Sequence, residues 1–270
     1  MKTLALIFVF LLSFLLDRSN AGFHFVLIHG AGEGAWSWFE VTQRLQAAGH
    51  QVDAPDLASA GRDRTDVQAV KTLEQYSAPL IQILESLPAN EKVVLVGSSL
   101  AGLSLTLVLE MYPEKIAAAV YLSALMLPSG PIAATLFKQI FQTFGNNVIV
   151  EYANGSGTPV SVSYNFATVQ NFLYNTSPTK DVVLAKTLLK SFPFLDPTVN
   201  FTRARYGRVP RYFIKATFDH ALQPTDQEDL IRRTPPKLVL ELPSDHSPFF
   251  SQPTLLVTNL VNIATLELLL

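Results

Sequence analysis

The sequence predicts an α/β fold, a mostly parallel sheet flanked by helices with an inserted lid. Three observations carry this reading. Short apolar runs alternate with longer helical patterns up to Leu122 and again from Arg211 onward, the order expected of a sheet with helices on both faces. Two runs, Val93–Val96 and Ile116–Leu122, are apolar without alternation, which marks strands buried on both sides. Between Pro128 and Arg208 the alternation breaks into a stretch rich in Phe, Asn, Ser and Pro, too long for a structureless loop.

Taken in order, Phe23 to Ile28 reads as a strand that ends in His29-Gly30. Trp36 to Ala48 reads as a helix stopped by Gly49, a residue that tolerates the left-handed position after a helix. Gln51 to Asp56 is a second strand. Thr72 to Leu87 is a helix opened by a Thr72/Gln75 capping pair, and Pro79 inside it is expected to bend or shorten it. Leu100 to Tyr112 is a helix ended by Pro113. After the break come a strand at Arg211–Phe218, a helix at Thr225–Arg232, a strand at Leu238–Leu242 and a final helix at Leu255–Glu267. Within the insertion, Val148–Tyr152 and Val160–Tyr164 read as short strands.

Lys2, the apolar run Leu4–Leu16 and the small-residue stretch Ser19-Asn20-Ala21 have the order of a secretory signal peptide. Residues 1–21 are therefore expected to be a signal peptide and residues 22–270 one domain, its cap insertion spanning about 128–208. A secretory route would give meaning to the sequons at Asn154, Asn175 and Asn200, and the expected destination is extracellular. The apolar stretch from Leu255 to the end is interrupted by Thr258, Asn259, Asn262, Thr265 and Glu267, so a buried helix is expected there, with no stable membrane insertion.

Composition narrows the chemistry. The 270 residues are 49% hydrophobic and 16% charged, which excludes a disordered chain. Twenty basic against 22 acidic residues, with no Lys/Arg cluster, argue against a nucleic-acid partner. There is no cysteine, so a disulfide framework, a thiolate-held metal and a cysteine nucleophile are all excluded.

The strongest motif is Gly97-Ser98-Ser99-Leu100-Ala101, the G-x-S-x-A form of a nucleophile elbow, between a buried strand and a helix. There the chain turns sharply, and the residues two before and two after the serine approach each other, so both must be small. Ser98 in that role would put Val96 at the first small position, so Ser99 is the candidate nucleophile. A serine hydroxyl needs a base. His24 lies in a strand, His50 in a turn and His29 in the glycine-rich loop, where it is expected to hold that loop; His220 directly follows a better acid candidate. His246 follows the last strand. The acid should follow the strand before it, which selects Asp219 over Asp226 and Asp229, both in a helix, and over Asp245, the neighbour of His246. The chain order Ser99, Asp219, His246 is that of an α/β-hydrolase triad. The backbone N–H groups of Leu100 and, in His29-Gly30-Ala31-Gly32, of Ala31 are the expected oxyanion donors.

The segments Phe25-Val26-Leu27-Ile28-His29-Gly30-Ala31, Gly34-Ala35-Trp36, Ala54-Pro55-Asp56-Leu57, the Ser99 elbow, Tyr174 to Asp181 and Ser244-Asp245-His246-Ser247-Pro248-Phe249-Phe250 together resemble the plant methylesterase branch of the α/β-hydrolases, which also holds the α-hydroxynitrile lyases. The resemblance spans nearly all of residues 22–270. It implies the α/β-hydrolase fold, no cofactor, the triad Ser99, Asp219 and His246, donors at Ala31 and Leu100, and hydrolysis of methyl esters of small acids. The chain departs from the family in having Ala101 where Gly is usual and Ser98 where His or Glu is usual. The lyases carry a Lys after the histidine and a Thr in the oxyanion loop; here these are Ser247 and Ala31. A non-enzymatic small-molecule binder and a lyase are the alternatives to a serine ester hydrolase. The expected partner is a small ester, with a homodimer left open. The phenylalanines Phe137, Phe141, Phe144, Phe166 and Phe172 of the insertion suggest an apolar or aromatic acyl group.

Overall fold

The computed structural model describes residues 22–153 and 157–269. In chain order it contains β1 (His24–Ile28), α1 (Phe39–Ala47), β2 (Gln51–Asp53), α2 (Leu73–Ser86), β3 (Val93–Ser98), α3 (Ala101–Met111), β4 (Ile116–Leu122), α4 (Ile132–Thr143), β5 (Val148–Tyr152), β6 (Pro159–Tyr164), α5 (Val169–Leu173), α6 (Thr179–Leu188), β7 (Phe192–Pro193), β8 (Arg211–Ala216), α7 (Pro224–Arg233), β9 (Leu238–Leu242), α8 (Pro248–Ser251) and α9 (Pro253–Leu268). Residues 1–21 and Asn154 lie outside the described residues, so the signal-peptide reading and one sequon have no structural counterpart.

Six strands form a sheet in the order β2-β1-β3-β4-β8-β9, and every pairing is parallel. Every residue of β1, β3 and β4 is buried, as their unbroken apolar runs require. The chain leaves β1 toward β2 and leaves β3 toward β4, in opposite directions along the sheet. Such a reversal opens a crevice at the carboxyl ends of the two strands, because their crossover connections depart to opposite sides. Register aligns the strand ends: Ile28 lies beside Gly97, Ser98 beside Leu122, Leu122 beside Ile214, and Ala216 beside Leu242. The segments after β1, β3, β8 and β9 thus emerge on one rim.

Helix α3, which follows the crevice strand β3, is buried from Ala101 through Leu109. A helix apolar all round belongs in a core, and this one packs under the sheet against α2, where Ser77 Oγ donates to Ser104 Oγ at 2.8 Å. Pro79 does not shorten α2, which runs from Leu73 to Ser86 behind the expected Thr72/Gln75 capping box. In the turn before the proline, the carbonyl of Tyr76 accepts the N–H of Ala58 at 3.1 Å, which ties the helix to the segment after β2.

The described residues between 128 and 208 fold over the rim. The antiparallel sheet β5-β6-β7 matches the two expected strands and adds a short third. The helices α4, α5 and α6 of this region have no counterpart in the sequence reading. Final helix α9 buries Leu256, Leu260, Ile263 and Ala264 on one face. No helix among the described residues is long and apolar enough to cross a membrane.

Gly102 tests how closely this core is packed. A Cβ there would stand 2.5 Å from the carbonyl oxygen and 2.7 Å from the nitrogen of Leu125, both backbone atoms. Alanine normally stabilises a helix interior relative to glycine. Here Gly102→Ala should instead destabilise the fold by roughly 1–3 kcal/mol, read as a lower urea midpoint; an unchanged or higher midpoint contradicts this packing.

Candidate active site

Ser99 stands between β3 and α3 with φ = +55°, in the left-handed region that side chains avoid. That conformation costs roughly 1–2 kcal/mol. Several contacts hold it there. The N–H of Ser99 donates to Leu122 O (3.2 Å), and its carbonyl accepts from Gly102 N (3.1 Å) and Leu125 N (3.0 Å). A Cβ on Gly97 would lie 3.2 Å from Ala101 Cβ and 2.4 Å from Leu105 Cδ1. The close approach expected of the motif is therefore present, and a methyl fits at residue 101 because residue 97 has none. Ser98 is buried within β3, whereas Ser99 is partly exposed and lines a cavity.

His246 lines the same cavity. Its Nδ1 lies 2.7 Å from Asp219 Oδ2, and both side chains are buried. Burial works against a charged imidazole, but the Asp219 carboxylate outweighs it, with Glu33 and Asp245 adding to the pull, and the net effect raises the pKa of His246. Asp219 is fixed in turn. Its Oδ1 accepts the N–H groups of Ala221 (2.8 Å) and Leu222 (2.9 Å), and its Oδ2 accepts from Gln227 Nε2 (3.3 Å). Gln227 also bridges both backbone groups of Ala216 at the end of β8. The sequence reading missed Gln227, since nothing in the sequence marks a polar residue one turn into α7 as buried. Ser99 makes no hydrogen bond to His246 in this structure; the two residues line the same cavity.

Ala31 and Leu100 also line the cavity, and neither N–H has a partner among the described residues. The loop that carries Ala31 is held from several sides. His29 is fully buried: Gly30 O lies 2.8 Å from its Nδ1, and Nε2 accepts from Leu57 N–H at 3.1 Å. The expected loop-holding role is therefore met by a neutral ring, and burial lowers its pKa. From the cap, Tyr164 OH donates to Ala31 O (3.2 Å) and Lys190 N–H donates to Gly32 O (2.9 Å).

The remaining candidates lie elsewhere. His24 bridges Glu91 and Asp53, His50 accepts from Phe23 N–H, and His220 faces solvent beside Asn171 O. Asp226 and Asp229 sit on α7, Asp229 paired with Arg232 and Arg233. Asp245 is fully buried and takes four bonds: Oδ2 from Thr176 N–H and Ser177 OH, Oδ1 from Ser247 N–H and Ser251 OH. It ties the cap to the loop that presents His246.

The cavity is narrow, about 40 Å³ as the space open to the centre of a water-sized sphere. Phe137, Phe141, Phe144 and Phe172 line it as expected; Phe166 does not and is exposed, and Phe192 and Tyr164, which the sequence reading missed, complete the wall. No group of three or more His, Asp or Glu side chains among the described residues is arranged to hold a metal ion. Of the sequons, Asn200 is exposed, while Asn175 uses its side-chain nitrogen to donate to Phe218 O at 3.1 Å.

The Asp245 clamp carries a prediction. Asp245→Ala strands several buried donors at once and should cost roughly 3 kcal/mol of stability, measured by denaturant unfolding. A loss below about 1 kcal/mol, typical of an exposed ion pair, would contradict the clamp.

The family model described as "Alpha/beta hydrolase family" matches residues 25–259. Methylesterase 2 of Arabidopsis thaliana is 37% identical over 254 residues, covering 89% of this chain and 95% of the relative. Methylesterase 13 of the same plant, named chloroplastic, is 38% identical and covers 89% of this chain, which spans only 56% of that relative's length. Among solved structures, tomato methylketone synthase I complexed with 2-tridecanone superposes with a TM-score of 0.86 at 33% identity, covering 91% of this chain and 99% of that one. An Arabidopsis methylesterase superposes with a TM-score of 0.80 at 32% identity, covering 90% and 99%. Five of the relatives are named chloroplastic, which overturns the extracellular destination expected from residues 1–21. The match over residues 25–259 and the shared sheet architecture mean that the chain belongs to the α/β hydrolase family, in its plant methylesterase branch.

Proposed function

We propose that the protein is a serine carboxylic-ester hydrolase that cleaves methyl esters of small apolar or aromatic acids. One observation carries the reading: a serine in left-handed backbone at a strand–helix turn shares a cavity with a histidine whose far nitrogen is held by a buried aspartate at 2.7 Å. Relatives named methylesterases support it.

In this reading Ser99 Oγ attacks the ester carbonyl while its proton passes to His246 Nε2. Asp219 accepts the Nδ1–H bond, holds the ring in that tautomer and stabilises the imidazolium that forms. The carbonyl π pair moves onto oxygen, where the N–H groups of Ala31 and Leu100 receive the developing charge. Collapse of this adduct breaks the bond to the methoxy oxygen, which leaves as methanol with the proton from His246. Water, deprotonated by the same histidine, then attacks the acyl-enzyme and frees the acid. Aromatic and aliphatic side chains dominate the cavity wall, and no Lys or Arg is among its lining residues. That lining favours a neutral acyl group and offers no cation for a released cyanide, which argues against the lyase.

Two measurements test the reading. Hydrolysis of p-nitrophenyl acetate and a panel of small methyl esters should fall on the order of 10⁶-fold in Ser99→Ala; equal rates in both proteins would leave a ligand binder. The base acts only as neutral imidazole, and its pKa is raised, so activity should be lost as pH falls through a midpoint above about 6.5, the unperturbed value. A rate that stays flat from about pH 5 to 8 would exclude His246 as the base.

A further inference from the structure

Glu33 is a carboxyl group that the triad does not use, buried to 3% exposure two residues beyond the Ala31 donor. Its Oε2 accepts the N–H of Gly30 at 3.1 Å, and its Oε1 accepts the hydroxyl of Tyr174 at 3.2 Å. It therefore spans from the turn after β1 to the cap. It also reaches the catalytic turn: a Cβ on Gly30 would stand 3.1 Å from Glu33 Oε2 and 3.2 Å from Ser99 Cβ, so the carboxylate and the serine flank the same glycine. The ionisable groups whose charge acts on it or is acted on by it are His246 from the loop after β9, Tyr174 and Tyr164 from the cap, and Tyr76 from α2. Asp56 lies beyond the same turn, where it accepts Ala35 N–H at 2.7 Å. His246, in turn, is faced by Asp219, Glu33 and Asp245.

We propose that Glu33 is a positioning residue for the ester-hydrolysis site: it fixes the Ala31 loop against the cap, and its ionised form stabilises the imidazolium of His246 as a second carboxylate behind Asp219. The inference rests on the hydrolase reading given above. Two carboxylates acting on one imidazole raise its basicity, whereas Asp219 alone sets its orientation. Burial pushes the Glu33 carboxyl up to about 7, against the pull of His246 and its two hydrogen bonds, so its charge changes over the same pH range in which the base must lose its proton. The pair titrates together, and the acid limb of the rate profile belongs to both groups.

Glu33→Gln keeps an oxygen for Gly30 and Tyr174 but removes the charge. It should move the acid limb of kcat/KM to lower pH by roughly 0.5–1 unit, because the imidazolium loses an attractive partner. Tyr174→Phe removes a bond that favours ionised Glu33 and should move the limb in the same direction by less. Proton NMR titration of the His246 ring in wild type and Glu33→Gln reads the coupling without turnover. If esters are not hydrolysed at all, the hydrolase reading fails while the NMR shift still decides the coupling. A purely structural Glu33 would lower stability or rate and leave the limb in place. An acid limb and a ring titration that both stay at their wild-type pH overturn the proposal.

Discussion

The left-handed turn at Ser99 is the constraint from which the rest of the site follows. It exists because β3 must hand over to α3 within a few residues, with Gly97 and Ala101 close enough that their Cβ positions would be 3.2 Å apart. The strain of a positive φ is held by three backbone bonds to Leu122, Gly102 and Leu125, all in or next to fully buried elements. A buried parallel strand on one side and a buried helix on the other hold it in place. The strand order then determines what the serine faces. Since β1 and β3 are neighbours whose connections run apart, the Ala31 loop and the Ser99 turn share one crevice.

Around that turn, buried polar groups are used in pairs. Asp219 is satisfied by two backbone N–H groups and Gln227 before it meets His246, so its position does not depend on the imidazole. Asp245 plays the matching part for the histidine's own loop, with four bonds that also reach the cap. Glu33, Tyr164 and Tyr174 tie the cap to the other side of the crevice. The cap is thus bonded to both loops that frame the serine, in addition to covering them with aromatic side chains. Such satisfied networks fix geometry, because a misplaced member leaves a buried group without its partner.

The central sheet was legible in the sequence because strands buried on both faces are written as unbroken apolar runs, and Val93–Val96 and Ile116–Leu122 are two of them. Ser99 follows one of these runs, whereas Asp219 and His246 follow β8 and β9, which carry Arg211, Lys215 and Glu241 and are read from chain order instead; the structure brings all three residues to one rim. The cap was legible only as a break in the pattern. Helix α5 is short and α6 has no strong apolar face, so periodicity could not reveal those two; α4, with Ala133, Leu136 and Ile140 on one face, was periodic but went unread. Phe166 was misassigned because composition cannot tell an exposed aromatic from a lining one. Glu33 and Tyr174 meet across 141 residues, and no local pattern encodes such a bond. The destination was misread because an apolar leading run is a signal of composition, and relatives named chloroplastic point elsewhere.

The central claim is that Ser99 carries the covalent chemistry. A serine-directed fluorophosphonate reacts only with an activated hydroxyl, and its adduct can be located by mass spectrometry of the digested protein. The account requires one adduct on the native protein, on Ser99, which is lost when the protein is unfolded before labelling. An adduct on Ser98, or no adduct on a folded protein, would contradict it.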